Sequence, residues 1–183
     1  MDGGDPELTD TEIHGGLVYH YAAPAGLSAS MMGEIGALIE GGGSVPPARV
    51  RENLARAFLI GYVMDDDALI GCAVLKEPRP EFTRMVREQT GIDLSGLLER
   101  GYSSVLPAYR GKGIASKLLK DLTARVGERK LYSVIGEDNT GGQKIALNNR
   151  TRKIAVYESP NTGKKIGIWM PEWMIEPGFQ STS

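Results

Sequence analysis

The run Val105-Leu106-Pro107-Ala108-Tyr109-Arg110-Gly111-Lys112-Gly113-Ile114-Ala115-Ser116-Lys117-Leu118-Leu119 constrains the fold more than any other part of this chain. It reads as a strand, a proline stop, a tight glycine turn and then a helix, whose apolar residues Ile114, Ala115, Leu118, Leu119, Leu122 and Val126 recur at helical spacing. That order of elements builds an anion cradle. Glycines at 111 and 113 let the backbone approach an anion closely, and the first amides of the helix point outward where its dipole favours negative charge. Arg110 and Lys112 add cations at the rim.

The cradle is of neither common nucleotide type. A Walker-type loop needs a glycine five positions before its Gly-Lys pair and a hydroxyl residue after it. Leu106 and Gly113 stand there instead, and the three spaced glycines of a dinucleotide fingerprint are missing. What remains is Arg-x-x-Gly-x-Ala, made by Arg110, Gly113 and Ala115. In this setting it resembles the pyrophosphate loop of the GNAT superfamily of acyl-CoA-dependent N-acyltransferases. The resemblance covers about residues 17–173 and implies an α/β (α+β) fold of three layers, with a central mixed, mostly antiparallel twisted sheet flanked by helices.

Composition bounds the alternatives. A chain of 183 residues is the size of one domain, able to bury about 70% of its unfolded surface. The longest apolar runs, Ala57 to Met64 and Ala68 to Leu75, are far shorter than the roughly 20 residues of a membrane span. With no Lys or Arg ahead of an apolar core at the N-terminus, no secretion signal is read, and the expectation is a cytoplasmic protein. The single cysteine, Cys72, excludes a disulfide within the chain and reads as a small core residue of an apolar strand. His14 and His20 have no cysteine neighbours, so they read as strand-end or surface residues and no metal is expected.

Charge is polarised along the chain. Residues 1–48 hold seven acids and no Lys or Arg, whereas residues 100–165 hold fourteen Lys and Arg against five acids, a net +9. A basic half can serve nucleic acid or a polyphosphate ligand, and the absence of interleaved aromatic platforms argues against nucleic acid.

The remaining segments follow from periodicity. Residues 1–16 are acidic, glycine-rich and without period, read as a flexible and dispensable tail, and residues 174–183 as a C-terminal tail. Leu17–Tyr21 reads as a strand. Met31, Met32, Ile35, Leu38 and Ile39 predict a helix capped by Ser28 or Ser30 and ended by Gly41-Gly42-Gly43, and Pro46-Pro47 opens a second helix with Val50, Leu54 and Ala57. Phe58–Met64 and Leu69–Leu75 are two strands joined at Asp65-Asp66-Asp67, read as a hairpin turn and not a metal site. A short helical pattern sits at Phe82, Met85 and Val86. A strand from about Leu97 to Leu106 enters the glycine loop, followed by strand Leu131–Gly136, helix Gly141–Asn149 and a last hairpin of Lys153–Tyr157 with Ile166–Met170.

The resemblance also implies site residues. Val105 and Leu106 would offer backbone hydrogen bonds to pantetheine and the thioester carbonyl of acetyl-CoA. Arg110, Gly111, Lys112, Gly113, Ile114, Ala115 and Ser116 would hold the pyrophosphate, and Asn139 would begin the helix beside the cofactor. Glu99, six residues before Val105, stands where many members place the carboxylate that deprotonates the amine. Strand alternation predicts Glu99, Gly101, Ser103 and Val105 on one face. The tyrosine that commonly protonates the departing thiolate should fall near Ala146 and is absent, as is the Gly-Phe that usually follows that helix; Tyr132 and Tyr157 lie in nearby strands.

The resulting expectation is an N-acetyltransferase using acetyl-CoA, with a small-molecule, amino-acid or peptide amine as acceptor. Two alternatives stay open: an acyl-CoA-binding sensor or interaction domain without turnover, and an acyltransferase acting on tRNA through Lys144, Arg150, Arg152, Lys153, Lys164 and Lys165. Neither the acceptor nor the oligomeric state, a homodimer included, is written in a readable code.

Overall fold

The computed structural model describes residues 10–42 and 45–178. Among the described residues, eight strands, five α-helices and short 3-10 turns make a mixed, mostly antiparallel α/β fold. They group into two compact units: the described residues up to Lys76 with Tyr102–Leu122, and Glu77–Gly101 with the residues from Thr123 onward.

In the first unit, β1 (Asp10–His14), β2 (Leu17–Ala22), β3 (Ala57–Asp65) and β4 (Ala68–Lys76) pair antiparallel in chain order. The residues Tyr102–Val105 of β5 (Leu98–Val105) follow β4. Helix α1 (Ala29–Gly41) starts at Ser28, whose hydroxyl accepts from the Met31 amide at 3.1 Å. Helix α2 (Pro47–Ala55) starts on its prolines and stops before Ala57, which opens β3 and does not extend the helix. Ile35, Ile39, Val50 and Leu54 of these helices bury against Ile60, Cys72 and Val74, each contributing about 1.5–3 kcal/mol of transfer free energy where fully covered. Helix α4 (Ile114–Ala124) comes very close to β3 and β4: a Cβ at Gly61 would stand 3.1 Å from Leu118 Cδ2, and one at Gly71 3.3 Å from Ile114 Cγ2. Glycine at both positions is what admits the helix.

The expected tail of residues 1–16 is corrected where it is described. Asp10–His14 is a strand in register with β2, from Asp10↔Tyr21 to His14↔Leu17. Gly15 and Gly16, at φ 59° and 80°, form the two-residue turn between them, and paired positive φ values match the twist of a hairpin. Glu12 then reaches Lys117 Nζ on α4 at 3.0 Å. Residues 1–9 lie outside the described residues.

In the second unit, Leu98 and Glu99 of β5 pair in parallel with Leu131 and Tyr132 of β6 (Leu131–Gly136), which pairs antiparallel with β8 (Lys165–Pro171), itself paired with β7 (Thr151–Glu158). Helix α3 (Pro80–Thr90) ends at Gly91, φ 76°, and α5 (Thr140–Asn148) follows β6. Val86, Leu94, Tyr132, Ile154, Tyr157 and Ile168 form the core of this unit, with Phe82, Met174 and Ile175 packed on it. The segment expected as a tail from residue 174 is therefore docked at its start: Met174 Sδ accepts from the Leu131 amide at 3.4 Å, and Glu176 pairs with Lys130. Residues 179–183 lie outside the described residues.

Candidate active site

In the first unit β5 runs into a 3-10 turn at Pro107–Tyr109, then the glycine loop, then α4. Proline supplies the stop and the two glycines supply the turn. Gly111 and Gly113 sit at φ 75° and 79°, and a Cβ on either would meet no atom within 4 Å, so the space above the loop is open. Ile114, Ala115 and Ser116 form the first turn of α4, whose amides no helix satisfies internally. Two bonds fix the loop to the sheet: Arg110 Nε donates to the Val105 carbonyl at 3.0 Å, and the Leu106 amide donates to the Ile70 carbonyl at 2.9 Å. Tyr109 adds a third, donating from its hydroxyl to Asp65 Oδ2 in the β3–β4 turn at 2.6 Å. Lys112 Nζ lies 5.0 Å from the Tyr109 ring centroid.

These bonds change what Val105 and Leu106 can offer. The Leu106 amide is spent on Ile70, and its carbonyl accepts from the Tyr109 amide at 2.9 Å. The Leu106 side chain is 36% exposed.

In the second unit Glu99 is 8% exposed on β5 and accepts a hydrogen bond at Oε2 from the Tyr132 hydroxyl at 3.4 Å. Burial, then the charge of Glu99, drives the Tyr132 phenol well above its ordinary range, and the same two causes act on Tyr157. Both stay protonated at neutral pH. Phe82 of α3 stacks on Tyr132 and meets Tyr157 edge-on, with centroids 6.4 and 5.7 Å apart. Position 146, where a tyrosine was expected, is a buried alanine of α5. Asn139 caps α5, its Oδ1 accepting from the Gly142 amide at 2.9 Å.

Extended geometry does not survive along β5. Tyr102 takes φ 49° in mid-strand, a left-handed conformation rare for a bulky residue. Before it, Arg100 turns to α4, donating to Thr123 Oγ1 at 2.6 Å. After it, Tyr102 and Ser104 turn to α2 and α1, reaching Asn53 and the Leu38 carbonyl, while Val105 stands beside Gly71 and α4's Ile114. No residue type in the sequence signals the left-handed position, because it is held by tyrosine where glycine or asparagine is the usual marker.

Arg100 was equally silent in the sequence. It is 3% exposed, and its donors go to three neutral hydroxyls: Ser133 at 3.2 Å, Thr123 at 2.6 Å and Thr151 at 3.1 Å. Burial lowers it to about 10. Cys72 sits fully buried on β4 and donates weakly to the Tyr102 carbonyl at 3.8 Å. His20 stacks on Tyr62 at 4.7 Å and touches Thr11. Among the described residues no group of three or more His, Cys, Asp or Glu is placed to hold a metal ion.

A model of the acetyltransferase (GNAT) family matches residues 39–148, a span that takes in the glycine loop and all of β5. This chain belongs to the GNAT acetyltransferase family. As a GNAT protein it is an acyltransferase, and solved structures agree in fold. An acyl-CoA N-acyltransferase from Pseudomonas aeruginosa superposes with TM-score 0.58 at 16% identity, over 84% of this chain and 99% of that one. The ribosomal-protein-S18-alanine N-acetyltransferase from Escherichia coli gives 0.59 at 12%, over 87% and 97%. A chain of the NatC complex bound to Gag peptide and CoA gives 0.62 at 19%, over 85% and 98%. At these identities the likeness is one of fold. No curated protein matches the sequence.

Proposed function

We propose that this GNAT protein transfers the acetyl group of acetyl-CoA to a primary amine of a small molecule, amino acid or peptide. One observation carries the reading: a glycine turn with two left-handed residues, open above and flanked by Arg110 and Lys112, delivers the chain into the N-terminus of α4. A pyrophosphate fits that arrangement, since positive φ turns the loop outward, outward amides accept an anion, and no side chain fills the space. When bound, acetyl-CoA supplies an acyl group activated as a thioester.

The chain's own residues then have separable tasks. Arg110 to Ser116 hold the phosphates. Glu99 takes the proton of the attacking ammonium, and the Tyr132 hydroxyl fixes the orientation of its carboxylate. No residue of this chain needs to reproduce the absent tyrosine, because a coenzyme A thiolate is a tolerable leaving group.

Ion pairing supports an amine acceptor over a nucleic acid. Of the six basic residues that could serve RNA, Arg150 and Arg152 face Glu172, Lys153 holds Glu137 at 2.8 Å and Lys164 holds Asp138 at 3.0 Å. The deciding experiment is a panel of amines, amino acids and short peptides incubated with acetyl-CoA, read as free thiol release. At least one acceptor is expected to raise the rate above hydrolysis. CoA binding without acceptor-dependent thiol release across the panel would leave a sensor, not an enzyme of this substrate class.

A further inference from the structure

We propose that the surface carrying Leu147, Arg150, Arg152 and Trp173 docks an acidic segment of a partner protein, with an apolar side chain seated on Trp173 and carboxylates on the two arginines.

Among the described residues four large apolar side chains stand exposed, and two of them belong to neighbouring segments of the second unit: Leu147, 63% exposed near the end of α5, and Trp173, 61% exposed in the 3-10 turn after β8. Backbone hydrogen bonds join those segments. The Arg150 amide donates to the Leu147 carbonyl at 3.0 Å, and the Glu172 amide donates to the Arg150 carbonyl at 3.0 Å. Trp173 is therefore carried on a fixed frame, because Glu172 before it is tied to Arg150 and Met174 after it is packed on the core of the unit. A tryptophan whose backbone is ordered before binding loses little freedom when a partner covers it, which suits it to be an anchor.

Charge then selects the partner. Arg150 and Arg152 have side chains 78% and 68% exposed, and they share one carboxylate, Glu172, at 3.7 and 3.9 Å. Those separations are long beside the 2.8 Å of Lys153 to Glu137 and exceed hydrogen-bond reach. Two guanidinium forks therefore keep donors to give, and a second carboxylate would balance the charge. Planar forks of this kind match carboxylates in paired hydrogen bonds. Arg150 also holds φ 50°, the left-handed conformation in which a helix commonly ends on glycine. Backbone geometry alone favours glycine there, and what arginine adds is its guanidinium.

Other occupants fit less well. Glu172, which both arginines approach, would repel a continuous row of phosphates, and one exposed tryptophan with an aliphatic neighbour is not a stacking platform for nucleic acid. A second copy docked through the same face would set one pair of arginines against another.

Binding is measured on the full chain with a short blocked peptide in which a phenylalanine-leucine pair is flanked by glutamates. The same peptide with glutamine for glutamate, and single-stranded RNA, are the comparisons. Trp169 is 4% exposed, so a blue shift of emission on binding reports the covering of Trp173. The acidic peptide is expected to saturate below about 1 mM. Trp173→Ala should weaken it about tenfold or more, and Arg150→Gly and Arg152→Gln about threefold each. Arg150→Gly should do so with an unchanged or higher melting temperature; an arginine needed only for the fold would give a lower melting temperature and the same affinity. Failure of the acidic peptide to saturate, equal affinity for the glutamine peptide, or indifference to Trp173→Ala overturns the assignment. So does RNA that binds as tightly and is lost with Trp173→Ala, or a concentration-dependent dimer that Trp173→Ala abolishes, since the face would then belong to nucleic acid or to a second copy.

Discussion

Cys72 lies fully inside β4, and burial pushes its thiol up to about 12, a cost only partly offset by a backbone hydrogen bond. An unfolded thiol titrates near 8.5. Between those values the unfolded chain has lost a proton that the folded chain keeps, so raising the pH favours unfolding. Stability from this residue is complete below about pH 8.5 and falls by on the order of 5 kcal/mol as pH climbs towards 12. Thermal melts at pH 8 and pH 10.5 should therefore show a smaller drop for Cys72→Ala than for the parent; parallel drops would show that the thiol is not protected. The same burial makes Cys72 a poor nucleophile, and the proposed function assigns proton removal to Glu99 instead. Glu99→Gln should lower kcat by about 10²–10⁴ if the carboxylate takes the proton directly, while CoA affinity measured by calorimetry stays within error. An unchanged kcat would return Glu99 to a purely packing role beside Tyr132.

The β1–β2 hairpin shows how much an element can depend on two residues. Gly15 and Gly16 both hold positive φ, at 59° and 80°, and neither has neighbours that would obstruct a side chain. Substitution is therefore a test of backbone conformation alone. Gly15→Val or Gly16→Val should destabilise by about 1–2 kcal/mol in urea denaturation, and deletion through His14 should lower the melting temperature because it bares the edge of β2 and removes Glu12 from Lys117. Preserved stability on deletion would mean that β1 contributes nothing. This hairpin was hidden in the sequence because Thr11, Glu12 and His14 carry no apolar period, and the Gly-Gly pair that marks the turn also marks a flexible tail. The strands of apolar alternation and the helices opened by Ser28 and Pro47 were legible, since caps and period agreed there. At the site, the anion loop was legible for the same reason, its proline, glycines and helix period falling in one run. The left-handed conformation of Tyr102 and the buried hydroxyl set around Arg100 were not: both depend on partners 23 to 51 residues away, beyond any local pattern.

Across the whole molecule, the polarity of the sequence is largely cancelled once the chain is folded. The surplus of cations between residues 100 and 165 meets carboxylates from elsewhere: Lys117 meets Glu12, Arg129 meets Glu77, Lys130 meets Glu176, and Arg150 and Arg152 meet Glu172. Arg100 is withdrawn into the interior altogether. Exposed pairs of this kind add little stability, about 0–1 kcal/mol each, but they decide what the surface attracts. Among the described residues no carboxylate pairs with Arg110 or Lys112 at the glycine loop, and the two flank the open space above Gly111 and Gly113. A folded chain arranged this way should concentrate its response to salt in the binding of the acyl donor. A protein neutralising six phosphates loses roughly a thousandfold in affinity between 50 and 200 mM salt, and no such loss is expected for tRNA or duplex DNA titrated with this protein, because binding at 50 mM should already be weak. Donor KM should rise modestly over that range, while the KM of a neutral-bodied amine acceptor stays flat. Tight RNA binding with a steep salt slope, coupled to a failure of every small amine to accept acetyl, would move the acceptor from amines to nucleic acid.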